Sequence, residues 1–596
     1  MQEYFLTGLA VLATISSMAG ASLSAEDLDR RRKALSDLLN EQWEHTLRTN
    51  PEYASILGDK RFNDKSSEIS MAATRRELAT NRRFLKQFEA IDTIGFSEQE
   101  ALNKALIVKN LRDAIEDAVW KEFEMPVNQM SGIHLQAAQL PSLLSFTTAK
   151  EYDDYLARMR EFPKQIDGTI DFMRRGMRDR LMPPKFLLEK VAAQAEGIAN
   201  RPPDKSPFAE PLAHFPVSVS PADQTRIRAA FLDAIQTSVF PAYKRLATFV
   251  RDAYAPHGRT QVGMWSLPEG VKRYDVHIRH NTTTNLTAEE IHQIGLSEVE
   301  RIEGQMLEIA RKLGFNDLKS FNQAIDANPD LRAKSREQIL DLYRKYEDQM
   351  YAQLPKLFGR LPKAKLEVVP VEAFREKEAA GADYTPGAPD GSRPGRINVN
   401  TSDPTSRKTI SMESTAYHEG LPGHHMQISI AQELTDLPQF RRHGGYTAYV
   451  EGWALYTERL GKEVGFYQNP YNDYGRLQDE MLRAIRLVVD TGLHAKRWTR
   501  EQVVQFFHDH SAIDEVEVQN ETDRYIVWPG QALGYKLGQL KIVELRERAR
   551  QELGDRFDIR EFHDQVLGAG ALPLEVLDKR IDDWITTSGE RPSRPQ

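Results

Sequence analysis

Apolar residues recur along this chain mostly at helical spacing. From Asp27, the positions Leu28, Leu35, Leu38, Leu39, Trp43 and Leu47 alternate with charged residues and predict an amphipathic helix ending at Asn50 and Pro51. Similar patterns run through 70–200 and 221–255, so the first half reads as helical. The stretch "RPPDKSPFAEPLAHFPVSVSPA" (201–222) has too many prolines to sustain a helix and predicts a long connection between lobes. Helices resume at 287–313 and 335–358. "AKLEVVPVE" (364–372) then predicts a strand, the glycine- and proline-rich stretch 379–395 a loop, and "RINVNT" (396–401) a second strand. After Ser411 helical periodicity continues to about 583, before a frayed tail, "SGERPSRPQ".

A length of 596 residues exceeds what one compact core accommodates, which predicts several lobes and room for an interior cleft. The expected division is a signal segment at 1–21, an N-terminal helical lobe at 22–260 and a C-terminal lobe at 261–596. A net charge of -8 provides no basic field, so no nucleic-acid partner is expected. The absence of cysteine removes disulfides, thiol nucleophiles and thiolate metal sites, leaving His, Asp and Glu as the strong ligands. Residues 4–21 hold a short apolar run followed by Ala19, Gly20 and Ala21, the pattern of a cleaved secretory signal. A periplasmic or secreted location is therefore expected. The run is too short for a stable membrane span.

The chemistry concentrates in "YHEGLPGHHMQ" (417–427). His418 and Glu419 are adjacent, and helix neighbours project about 100° apart, so a ligand and a general base can flank one metal. In an HExxH helix a second histidine would follow His418 by four positions, but Pro422 stands there. On a straight helix His424 would lie about 9 Å further along the axis, too far to share an ion. Pro422 removes an N–H and collides with the carbonyl of His418, so the helix must kink or bulge, and Gly423 supplies the freedom to loop the insertion out. The second ligand is then His424, with His425 in competition. Glu451, in an otherwise apolar turn of "YTAYVEGWALYTERLGKEVGFY" (446–467), is the candidate third ligand, and Glu458 lies seven residues later on the same face. Two histidines and one glutamate leave an open zinc position, the catalytic rather than the structural arrangement. The pairs His277/His280 and His508/His510 lack a following glutamate and read as solvated or structural.

The motifs "HEGLPGHHMQ", "YVEGWALYTE", "RLVVDTGLHAKRW" (486–498), "RYIVWPGQALGYKLG" (524–538) and "NPEYASILGD" resemble the bacterial family catalogued as domain of unknown function 885, itself similar to zinc metallopeptidases of the HExxH superfamily. The resemblance implies a mainly α fold like that of thimet oligopeptidase or angiotensin-converting enzyme: two helical lobes around a deep channel, with a small β-sheet beside the zinc helix. It also implies an oxyanion-stabilising tyrosine downstream, for which Tyr525 and Tyr535 match, with Arg524 beside them. The activity so implied is hydrolysis of short peptides, zinc-bound water acting as nucleophile and Glu419 as general base.

Asp490 and His494 share a helix face and predict either a bond that orients a metal ligand or a mutual pair. "RINVNT" is expected to form an edge strand able to align an extended peptide, and "GADYTPGAPDGSRPG" (381–395) a lid or cleft wall. The rival expectation is a non-catalytic periplasmic peptide-binding protein that keeps the fold. No GxSxG elbow or Walker loop points to a serine hydrolase or an NTPase.

Overall fold

Ser24 opens the first helix: its hydroxyl accepts the Asp27 N–H at 3.1 Å, and Ala25–Thr49 runs until Asn50 and Pro51, where the pattern placed its end. The computed structural model describes residues 24–589 except 374, 377 and 378. The expected signal segment and the tail beyond 589 lie outside the described residues. The fold is mainly α with one small sheet. Among the described residues no helix is long and apolar enough to cross a membrane.

The proline-rich stretch is not a connection between lobes. Pro203–Lys205 and Pro207–Leu212 form short 3-10 helices, and Phe208, Leu212 and Val219 are buried in the same core as Tyr152, Phe162 and Tyr243. The fixed φ of proline suits such short turns, and the apolar residues between the prolines supply burial that a solvated linker would lack. This core draws only on residues 127–255. Among the contacts that tie early residues to the second half, Leu106 packs with the helices around His418, and Leu187 packs with helices from 299 onward.

The sheet is three-stranded, in the order β1-β3-β2: β1 (Leu366–Pro370) pairs parallel with β3 (Gly395–Val399), and β2 (Ala382–Thr385) pairs antiparallel with β3. Two expectations are corrected here. The "RINVNT" strand is central, so both its sides are already hydrogen-bonded and it has no free edge for a peptide. Part of the expected loop at 379–395 is the strand β2, whose four residues are too few to show an alternating pattern. Ile397 and Val399 turn one face of β3 into the core, while the Asn398 amide donates to Asp383 and Thr385 on β2 at 2.6 and 2.8 Å.

Helices Thr447–Glu463 and Leu533–Leu553 cross at Gly452 and Gly538. A Cβ on Gly538 would stand 1.8 Å from the Ala448 carbonyl oxygen, and one on Gly452 would stand 2.4 Å from the Gly538 Cα. Only glycine permits this approach, which sets the depth of the Glu451 helix against the helix carrying Tyr535. Gly538→Ala is expected to lower stability by about 1–3 kcal/mol through overpacking, read as a reduced denaturation midpoint. An unchanged midpoint would show that the crossing relaxes freely.

Candidate metal centre

The helix Met412–Glu419 stops at Gly420, and a second, His424–Glu433, begins four residues after Gly420. Between them the chain loops out, with a cis Leu421–Pro422 bond. The loop is held from two sides. The Leu421 N–H donates to Glu347 Oε2 at 2.9 Å, and the indole N–H of Trp453 donates to the Pro422 carbonyl at 2.9 Å. Close approach requires both flanking glycines: a Cβ on Gly423 would meet the His418 carbonyl oxygen at 1.9 Å, and one on Gly420 the Glu347 carboxylate at 2.2 Å. The looped-out insertion expected from the sequence is therefore the observed geometry.

This loop returns His424 to His418, with ring centroids 4.8 Å apart and planes nearly perpendicular at 89°. Glu451 comes up from its own helix, with Oε2 3.3 Å from His424 Nε2 and 3.7 Å from His418 Nε2. The three donor atoms all lie within 4.8 Å of one another. Tetrahedral zinc with bonds of about 2.0–2.1 Å needs ligand atoms roughly 3.3 Å apart, close to these spacings. Glu451 Oε2 is buried and makes no hydrogen bond, although two imidazole nitrogens face it. A buried carboxylate oxygen left so is costly, and a cation is the partner that its surroundings fit. His418 Nδ1 lies 2.8 Å from Glu458 Oε1. That bond places the imidazole proton on Nδ1 and turns the Nε2 lone pair toward Glu451.

Burial works to raise the Glu451 carboxyl, but the charge of His424 and the contacts with both imidazoles outweigh it and hold the group well below the usual carboxylate range. For His418, burial opposes protonation, and Glu451 and Glu458 overcome it to raise the ring. Glu419 goes the other way. Burial pushes it up to about 8; the charges of Glu451 and Asp383 add to the shift, while His424 and Arg483 oppose it. A carboxyl poised near neutrality can both take and return a proton.

The remaining expected site residues separate. His425 does not converge on the group: its Nδ1 accepts from the Tyr384 hydroxyl at 2.9 Å, its Nε2 donates to the Ala364 carbonyl at 3.2 Å, and burial pushes it down to about 4. Tyr535 stacks on His418 with centroids 6.3 Å apart, and its oxygen accepts from Arg524 at 2.9 Å, which leaves the phenolic proton available. Tyr525 is fully buried, donates to Glu521 and accepts from Arg486 at 3.0 Å, so its proton is committed and the expected oxyanion role is corrected for this residue.

Asp490 and His494 neither orient a ligand nor pair with each other. Asp490 accepts from the Tyr274 hydroxyl at 2.6 Å and from the Gly530 N–H at 3.1 Å. His494 Nδ1 accepts the Met264 N–H and its Nε2 donates to the Tyr525 carbonyl, both at 2.9 Å. His280 pairs with Glu116, His508 with Glu515 and His510 with Glu303, as solvated or structural groups do.

Sequence reasoning missed Glu347 and Tyr384, which have no spacing relation to the histidines. It placed Glu458 on the right helix face without its role, although the seven-residue interval from Glu451 was the available signal. A cavity of about 610 Å³, lined by Lys536, Glu480 and Arg476 among others, is not lined by His418, His424 or Glu451.

Fold and site together define a mainly helical protein in which two buried histidines and a partly buried carboxylate converge beside a neutral-range glutamate. The chain belongs to the family described as bacterial protein of unknown function (DUF885), whose model matches residues 51–581. It is similar to a "putative lipoprotein" from Colwellia psychrerythraea known from a crystal structure, at 30% identity and a TM-score of 0.88, covering 94% of this chain and 99% of that one. A second structure, a "putative lipoprotein of unknown function" from Shewanella oneidensis, shares the fold at 18% identity and a TM-score of 0.69, covering 91% and 99%. No curated protein matches the chain.

Burial pushes Asp490 up to about 7, against the Tyr274 and Gly530 hydrogen bonds that lower it. A carboxyl raised in the folded state contributes stability that is complete below its ordinary value near 4 and is lost as pH climbs through 7. Asp490→Asn removes this dependence. The Tm of the variant relative to the parent is expected to rise steadily between pH 4 and 8, and a constant difference would exclude Asp490 as a neutral buried acid.

Proposed function

We propose that the protein is a zinc-dependent hydrolase of peptide bonds in short peptides, with His418, His424 and Glu451 as metal ligands. The observation that carries this reading is the convergence of three ligand atoms on one point beside Glu419, in a chain where only nitrogen and oxygen ligands are available. When bound, zinc supplies Lewis acidity toward a scissile carbonyl and makes water nucleophilic at neutral pH.

The other roles fall to side chains. Glu419 takes a proton from the attacking water and delivers it to the leaving amine, a cycle that its position near neutrality supports. Tyr535 donates its free proton to the developing oxyanion, and Arg524 fixes the direction of that phenol. Glu458 holds the tautomer of His418. The similarity to thimet oligopeptidase and angiotensin-converting enzyme belongs to the same reading. So does a location in the cell envelope or outside the cell, supported by the expected signal segment and by similarity to proteins described as putative lipoproteins.

The test is metal analysis of the purified protein, followed by mass spectrometry of a peptide mixture treated with and without chelator. Stoichiometric zinc and chelator-sensitive cleavage are expected. His424→Ala should lose the metal, whereas Glu419→Gln should keep it while turnover falls by about 10² or more. Retained zinc with no cleavage of any peptide by the unaltered protein would favour a peptide-binding protein instead.

A further inference from the structure

Three arginines lie against Glu458 and Tyr535, on one side of the proposed centre. Arg483 and Arg486 lie three residues apart on the helix Pro470–His494, and so on neighbouring positions of one face. Arg524 comes from the helix Glu515–Val527. Arg486 lies over the Tyr535 ring, 4.4 Å from its centroid, and Arg524 donates to the Tyr535 oxygen at 2.9 Å. Arg483 approaches Glu458, the carboxylate that holds His418, at 3.6 Å.

These guanidinium groups are not saturated by the protein. Glu521 takes two hydrogen bonds from Arg486, at 3.2 and 2.8 Å, and one from Arg524 at 3.2 Å. Arg486 Nη1 and Arg524 Nε are nevertheless buried without any partner. Arg483 is less well served. Its nearest carboxylate oxygens, on Glu458 and Asp479, both stand at 3.6 Å, beyond hydrogen-bonding distance, and its Nε has no partner. Its one hydrogen bond to protein is from Nη1 to the Asp479 backbone carbonyl at 3.1 Å. Solvent reaches the cluster in part: the side chains of Arg483 and Arg524 keep 11% and 13% of their surface. Buried donor atoms left without acceptors, on side chains that keep some exposed surface, are what a ligand carrying an acceptor would satisfy.

We infer that Arg483, Arg486 and Arg524 form a subsite for a carboxylate of the peptide substrate, next to the proposed metal and the Tyr535 phenol. A guanidinium presents several parallel donors and matches a carboxylate better than any neutral acceptor. The carboxylate is either the peptide C-terminus, which would make the enzyme act near that end, or an acidic side chain flanking the cleaved bond. This inference rests on the hydrolase reading for its substrate class, and binding tests it apart from turnover.

The experiment uses the zinc-loaded full chain carrying Glu419→Gln, and measures by native mass spectrometry the binding of mixed-sequence short peptides. The peptides are supplied as free acids, as C-terminal amides and as amides containing glutamate. Free acids are expected to bind about tenfold or more tightly than their amide twins. Adding Arg524→Gln, or Arg483→Gln should the first fail to fold, is expected to erase that ratio. Glutamate-containing amides that match the free acids would assign the carboxylate to a side chain. Equal binding of acids and plain amides without a glutamate effect, absence of all binding, or a preference that survives both substitutions would overturn the subsite. Turnover by the unaltered protein is read separately. Equal cleavage of free acids, plain amides and glutamate-containing amides would sink the subsite and leave the hydrolase, whereas no cleavage with the acid preference intact would do the reverse.

Discussion

The arrangement depends on one local constraint: the chain between Gly420 and Gly423 must leave the helix and come back. A continuous helix would carry His424 about 9 Å beyond His418 and round to another face. The observed loop cancels that separation. It does so under external control, because Glu347 takes the Leu421 N–H and Trp453 takes the Pro422 carbonyl. Burial holds the Glu347 carboxyl well above the usual range in spite of the Leu421 N–H that lowers it. A neutral buried acid can fix this turn without bringing another charge close to the histidines.

The charges around the loop are sorted by what each carboxylate touches. Glu451 faces two imidazoles and is held ionised; Glu419, one residue from His418, has no such pairing and is raised to about 8. Two glutamates in one buried region thus take opposite protonation habits, the division expected where one group binds a cation and the other handles protons. Glu458 adds a third habit by meeting the far side of His418. Its place on the Glu451 helix means that one rigid element supplies both the proposed ligand and the carboxylate that orients His418.

Much of this was legible in the sequence, for reasons that can be named. The long helices announced themselves through periodic leucines and caps such as Ser24, and the break at Pro422 follows from proline chemistry alone. The choice between His424 and His425 was not legible, because it depends on how many residues the loop absorbs and on Tyr384, a strand residue far away in sequence. The choice between Tyr525 and Tyr535 was hidden for a similar reason. It turns on whether each hydroxyl finds a buried acceptor, and Glu521 is within one helical turn of Tyr525 only. Asp490 and His494 misled because correct i,i+4 spacing fixes proximity along a helix but not which neighbouring helix each side chain meets. The proline-rich stretch misled because its prolines rule out a helix without ruling out burial.

The geometry of the His418, His424 and Glu451 group is tied to packing well away from any polar group. Glu451 precedes Gly452, whose missing side chain lets the helix rest on Gly538, and Tyr535 sits one turn before Gly538 on the opposing helix. The carboxylate facing His418 and the phenol stacked on it therefore issue from opposite sides of one backbone-to-backbone crossing. Side chains at that crossing would part the helices and separate Glu451 from Tyr535 together. Close-packed glycines here act on chemistry through distance: they fix how far the carboxylate can reach while the loop at Pro422 fixes where the imidazoles wait for it.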